Sequence, residues 1–249
     1  MNGTIRLTFY HSDEPAPKGM RPIHFRKGKM KPPTPKLVKE LSAVEWLKLA
    51  CATDYKLTKT GVLKEEPRRP MLTAPYYDAT NEKTVASDGF RMHLIATRVD
   101  NLPKPIGMTA EELVFPDYSR VIPEPREDDA VGTFDRDAVI HALLAVKPFA
   151  ELEVGTVKIS LNGSMQVSAI SEEGGDCTVE IEGRYSHDGA NILTGVHYQK
   201  MLDALAGMPK VVNYRVHPSG GTYNTYPITL SGTLGGEKRM SVLMPMMLQ

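Results

Sequence analysis

Little in this 249-residue chain is reactive. It has two cysteines, Cys51 and Cys177, far apart and with no CxxC or His-spaced companion. That argues against a disulfide framework and a zinc site, and it fits a reducing cytoplasm. No apolar run approaches the roughly 18 residues of a membrane span, so no membrane partner is expected. The N-terminus, MNGTIRLTFYHSDEP, lacks a basic start followed by an apolar block, so no signal peptide is expected. Seven histidines are scattered, and no HExxH, GxSxG or P-loop spacing occurs. His93 lies near Asp88, but nothing marks a nucleophile beside it. Asp13, Glu14 and Asp176 have no carboxylate partner at a catalytic spacing. The residues therefore predict no enzyme, no metal and no cofactor. Net charge is missing too: Lys plus Arg equals Asp plus Glu at 30 each, so total charge advertises no nucleic-acid partner.

What is present is ordinary bulk with uneven detail. A content of 41% apolar and 24% charged residues suits a soluble globular protein with ample core. From Lys18 to Lys39 there are eight basic residues and no acid. Such a block either meets phosphate or is a solvated, Pro-rich linker kept extended by its own charge. The last nine residues, SVLMPMMLQ, are the reverse of a polar, fraying end. They form either a last core strand or an adaptable apolar surface, for which Met is well suited.

The chain reads as α+β. Residues 4–10 alternate as a strand, and 11–35 break any long helix. Leu37 to Ala52 has apolar residues at helical spacing, although Ser42 with Glu45 also spells the capping box of a shorter helix from Ala43. Strands are expected at Pro70–Tyr77, Lys83–Ala86 and Phe90–Thr97. Residues 124–132 read as a linker. Then Asp135 caps a helix from Arg136 to about Ala145. Strands follow at Thr156–Leu161, Met165–Ser171 and Cys177–Tyr185, the first two joined by the hairpin signal Asn162-Gly163. A second cycle has a strand at Asn191–Leu193, a helix at His197–Ala206 and strands at Lys210–His217, Pro227–Leu234 and Arg239–Met244. Residues 133–249 are thus two strand-helix-three-strand units, and 37–97 read as one more.

Three stretches stand together: VASDGFRMHL (85–94), FPDYSRVIP (115–123) and SVLMPMMLQ (241–249). Their wording and order resemble the bacterial DNA polymerase III beta sliding clamp family, whose building block is this repeated unit. The resemblance implies a processivity-clamp fold with segment 1–36 apart, a shortened domain at 37–123, a linker at 124–132 and a complete domain at 133–249. It implies a shortened clamp, such as a phage or mobile element would carry, that tethers replication proteins to duplex DNA. The implied partners are encircled duplex DNA, DNA polymerase and other proteins bearing a clamp-binding peptide, a clamp loader, and further copies of the chain in a ring. The alternative is an adaptor or decoy that keeps the peptide site without the ring.

By the resemblance, the peptide pocket would use Leu72, then Ser87, Gly89, Arg91 and Met92. Pro116, Arg120 and Val121 would join them. Val242, Leu243, Met244, Pro245 and Met246 would close it, with Met247 at the rim. Phe90 and Met247 replace the family's usual His and Arg, which makes the rim less polar. Arg91 or Arg120 would hold a backbone carbonyl or a carboxylate; equally, Arg120 would pair with Asp117, and Gly89 would serve a tight turn. The DNA-facing cations would be Lys36, Lys39, Lys48, Arg136, Lys147, Lys200 and Lys210, unless these belong to plain solvated helix faces.

Overall fold

The computed structural model describes residues 41–61, 63–109, 112, 114–151, 154–161, 164–170, 176–181, 192–219 and 224–248, and the backbone alone of 5–10, 171, 175 and 184–186. The order begins with β1 (Ile5–Tyr10), α1 (Ala43–Leu49), β2 (Lys56–Leu57) and β3 (Leu63–Glu65). A meander follows: β4 (Tyr76–Asp78), β5 (Lys83–Ser87) and β6 (Arg91–Ile95). Next come β7 (Ala130–Asp135), α2 (Arg136–Ala150), β8 (Thr156–Leu161), β9 (Met165–Ser171), β10 (Gly175–Ile181) and β11 (Arg184–Ser186). The last run is β12 (Ile192–His197), α3 (Tyr198–Leu205), β13 (Val211–Val216), β14 (Ile228–Leu234) and β15 (Glu237–Leu243).

Two antiparallel sheets carry the molecule. One runs β1-β10-β9-β8-β12, the other β11-β7-β13-β14-β15-β6-β5-β4. The two units exchange their first strands: β7 pairs with β13 of the following unit, and β12 pairs back with β8. The meander β4–β6 then extends the larger sheet through β15, while β1 pairs with β10 at the end of the smaller one. The fold is α+β, built on the repeat legible in the sequence.

Helix starts follow their caps. Ser42 Oγ accepts the amide of Glu45 at 3.3 Å, and the Glu45 carboxylate accepts the amide of Ser42 at 3.0 Å. This is the shorter of the two helices the sequence allows; Lys36 and Lys39 lie outside the described residues. Asp135 accepts the amides of Asp137 and Ala138, which starts α2. That helix runs five residues beyond the expected end, because its buried stripe continues through Val146, Phe149 and Ala150 past Pro148.

Other expectations are corrected. Pro70–Leu72 form a 3-10 turn rather than a strand, closed by Thr73 Oγ1 donating to the Pro70 carbonyl at 2.7 Å. The strand expected over Cys177–Tyr185 is two strands, β10 and β11, in different sheets. Strand β7 begins at Ala130, inside the expected linker, and β12 continues to His197. The β2–β3 hairpin carries no alternation that marks it in advance. Asn162 and Gly163 lie outside the described residues, but the strands flanking them pair with Leu161 opposite Met165.

Trp46 of α1 locks the first part of the chain to the rest. It is fully buried, its indole N–H donates to the Ala204 carbonyl at 3.0 Å, and its ring stacks on His93 at 4.3 Å. Arg239 lies over the same indole and donates to the Gly207 carbonyl at 2.9 Å. A Cβ on Gly207 would stand 2.2 Å from the Trp46 ring, so this approach requires glycine there. His93 Nδ1 bonds the Trp46 carbonyl at 2.9 Å, which fixes the proton on that nitrogen in the neutral ring.

Burial drives the His93 imidazole down to about 3. The unfolded chain binds that proton near pH 6.5 and the folded chain does not, so stability is full above pH 6.5 and falls as pH drops toward 3. The expected slope from this group is about 1.4 kcal/mol per pH unit in that window. Urea unfolding between pH 6.5 and 4.5 checks it: a His93→Phe variant loses one proton's worth of the slope.

Candidate functional site

The site is built where β6 and β15 lie side by side. Their register sets Val242 opposite Met92 and Leu243 opposite Arg91, and the Met244 amide donates to the Phe90 carbonyl at 2.9 Å. Alternation along a strand sends neighbours to opposite faces. Met92, Leu94, Val242 and Val85 form one buried cluster, against which Phe115, Tyr118 and Ile122 pack. Leu243 joins the main core instead.

The turn before β6 is organised by its own side chains. Ser87 Oγ donates to the Arg91 carbonyl and accepts the Gly89 amide. Asp88 Oδ1 accepts the amides of Phe90 at 2.8 Å and Arg91 at 2.9 Å. Gly89 has φ +88, the left-handed region, which a side chain would strain. The result presents Phe90 to solvent at 60% exposure.

Beyond Leu243 the chain crosses β12, where the Met246 amide donates to the Gly195 carbonyl at 2.8 Å. Between tail and turn lies a cavity of about 300 Å³. Leu243, Met244, Pro245 and Met246 form one side; Phe90, Val196, His197 and Lys200 form the other.

The cavity's charged wall is a relay. Lys200 Nζ sits 4.3 Å over the Phe90 ring and 3.2 Å from Asp88 Oδ2. Asp88 also pairs with Arg91 Nε at 3.2 Å, and the Arg91 guanidinium pairs with Asp203 of α3. Gln199 donates to Asp203 at 2.9 Å. His197 accepts the Gln199 amide, and burial, then Lys200 and Arg91, lower its tendency to charge.

The expected pocket residues thus divide. Leu243, Met244, Pro245 and Met246 line the cavity. Leu72, Met92 and Val242 are buried beneath the surface, and Ser87 and Gly89 shape the turn. Arg91 is neutralised by two carboxylates and holds the turn to α3. FPDYSRV lies against the other face of the sheet from Leu243. There Phe115 stacks on Tyr76 at 5.1 Å, and the Tyr118 hydroxyl donates to Asp78 at 2.7 Å. Bonds from Asn81 and Tyr118 hold the Asp78 carboxyl down at about 2. Arg120 pairs with Asp117 at 2.9 Å, and Pro116 and Val121 are exposed. Val196 and His197 have no signal in the local sequence; they reach the site through sheet pairing.

The expected DNA-facing cations divide as well. Arg136 is buried, donating to the Met208 carbonyl at 2.8 Å and to Asp137, so it faces the interior. Lys200 belongs to the cavity wall, and Lys147 pairs with Glu151 at 3.4 Å. Lys48 and Lys210 are exposed. Both cysteines are buried thiols, with burial pushing Cys51 up to about 12 and Cys177 to about 11. Among the described residues, no three His, Cys, Asp or Glu side chains converge as a metal site requires, and no helix is long and apolar enough to cross a membrane.

Comparison with solved structures places this architecture. The beta sliding clamp of C. crescentus superposes with a TM-score of 0.61 at 17% identity, over 82% of this chain and 63% of the clamp. The DNA polymerase III beta subunit of Thermotoga maritima gives 0.61 at 18%, over 82% and 63%. The beta subunit from Streptococcus pyogenes gives 0.60 at 15%, over 82% and 64%. The fold is therefore the sliding-clamp fold, and the match spans less than two thirds of the length of these clamps. Neither a protein-family model nor a curated protein matches the sequence.

The relay predicts its own cost of disruption. Asp203→Ala leaves Arg91 with Asp88 as its sole carboxylate in a largely desolvated setting. The expected loss is about 2 kcal/mol of unfolding free energy, read by urea titration. Gln199→Ala, which leaves the charge pairs intact, costs less than about 0.5 kcal/mol.

Proposed function

We propose that the chain is a sliding clamp, or clamp-like processivity factor, that holds peptide-bearing replication proteins on duplex DNA and performs no chemistry itself. The observation that carries this reading is the apolar cavity between the turn and the tail, set in a clamp fold. An extended peptide with apolar anchors needs such a slot, plus backbone groups and a few polar side chains to orient it. DNA polymerase and a clamp loader are the partners of this kind. In this reading residues 133–249 are the complete domain and 37–123 the shortened one, joined around 124–132.

Electrostatics narrow how DNA would be met. Residues 40–249 hold 21 basic and 28 acidic side chains, so this body is net negative. Of the cations expected to face DNA, Lys48 and Lys210 have no ion pair among the described residues. Phosphate contact would then lean on the run Lys18–Lys39, which includes Lys36 and Lys39. Few such contacts suit a protein that slides rather than grips.

The test uses the peptide fluorescein-Gly-Gln-Leu-Phe-amide and fluorescence anisotropy. Saturable binding is expected, weakened at least about tenfold (about 1.4 kcal/mol) by Phe90→Ala combined with Met244→Ser. Equal affinity for wild type and variant counts against the cavity as the docking site. Mass in solution addresses assembly: a ring requires a multiple of 27.5 kDa, whereas a clean monomer at working concentration favours the adaptor.

A further inference from the structure

We propose that Asp88 sets the charge preference of the cavity: by neutralising Lys200 at its wall, it makes the site select a peptide residue that carries no charge. This rests on the peptide-docking reading and names the ligand class for the same site.

Charges of opposite sign alternate along one chain of contacts. Lys200 meets Asp88, Asp88 meets Arg91, and Arg91 meets Asp203. Two cations alternate with two carboxylates, and their sum is zero. Asp203 ends the chain on the neutral amide of Gln199. Side-chain exposure falls between 11% and 25% for all four charged groups, so solvent screens them weakly. His197, the remaining titratable group of the wall, is biased toward its neutral form by burial and by the two cations.

A carboxylate brought into this cavity would be desolvated and would find no unclaimed cation. Lys200 could donate to it through another N–H, but its charge is already offset by Asp88 at 3.2 Å, so the added carboxylate would leave one negative charge uncompensated. An ammonium would meet Lys200 directly. Both outcomes cost free energy, because a buried charge without its own partner is expensive. An uncharged side chain meets apolar wall from Phe90, Val196 and the methionines and disturbs none of the pairs.

Asp88 also orders the turn, accepting two backbone amides through Oδ1. Asparagine keeps a carbonyl oxygen for that purpose, so Asp88→Asn removes the charge and leaves the turn acceptor.

Three probes decide the matter: fluorescein-Gly-X-Leu-Phe-amide with X as Gln, Glu or Lys. Wild type is expected to bind the Gln peptide about threefold or more tighter than the Glu and Lys peptides. In Asp88→Asn the Glu peptide gains about fivefold relative to Gln. Lys200→Met unbalances the wall the other way, so there the Lys peptide gains; this second variant keeps the test open should Asp88→Asn fold poorly. Wild type favouring Glu, or ratios unchanged in both variants, overturns the proposal while leaving peptide docking in place. If none of the three peptides binds wild type, the docking reading fails and this inference fails with it.

Discussion

The pairing of β15 with β6 is the constraint on which the site depends. It joins a strand near the end of the chain to a turn about 150 residues earlier, and it does so in one register. A slip of one residue would turn Leu243 toward FPDYSRV and Val242 toward the helices, since side chains alternate faces. The same register brings the Met244 amide onto the Phe90 carbonyl, which sets tail against turn. The cavity is therefore a by-product of sheet continuity, and each of its two sides is anchored by backbone hydrogen bonds.

The relay and the Trp46 lock hold that arrangement from the helix side. Arg91 ties the turn to α3 through Asp203, while Trp46 ties α1 to α3 through Ala204. His93, one pleat along from Arg91, stacks on Trp46. The face of β6 that points to the helices thus carries an ion pair at one end and an aromatic stack at the next position. The opposite face is apolar and covered by Phe115, Tyr118 and Ile122. Two faces with such different chemistry leave β6 a single way to lie in the sheet.

Much of the fold is legible in the sequence because it is written in local terms. Ser42 with Glu45 and Asp135 state where helices begin, and alternation states β8 and β9 residue for residue. The exchange of first strands between units is not local, and neither is the division of β10 from β11 between two sheets. The site follows the same rule. Its tail side is announced by an unusual run of Val, Leu and Met, and Phe90 by its place in the turn. Val196 and His197 are not announced, because sheet pairing alone brings them there. Charge along a helix also misleads. Arg136 and Lys200 read as free cations, but a carbonyl and two carboxylates claim them, and only the packed structure reveals those partners.

Amide hydrogen exchange resolved by residue tests the central pairing most directly. Strands β6 and β15, and the Met244 amide with them, are expected to exchange at the slow rate of β13 and β14, as one cooperative unit. Exchange from β6 and Met244 that is faster by orders of magnitude than from β13 and β14 would mean the two segments open independently. In that case the cavity has no fixed walls, and no preformed docking site exists between turn and tail.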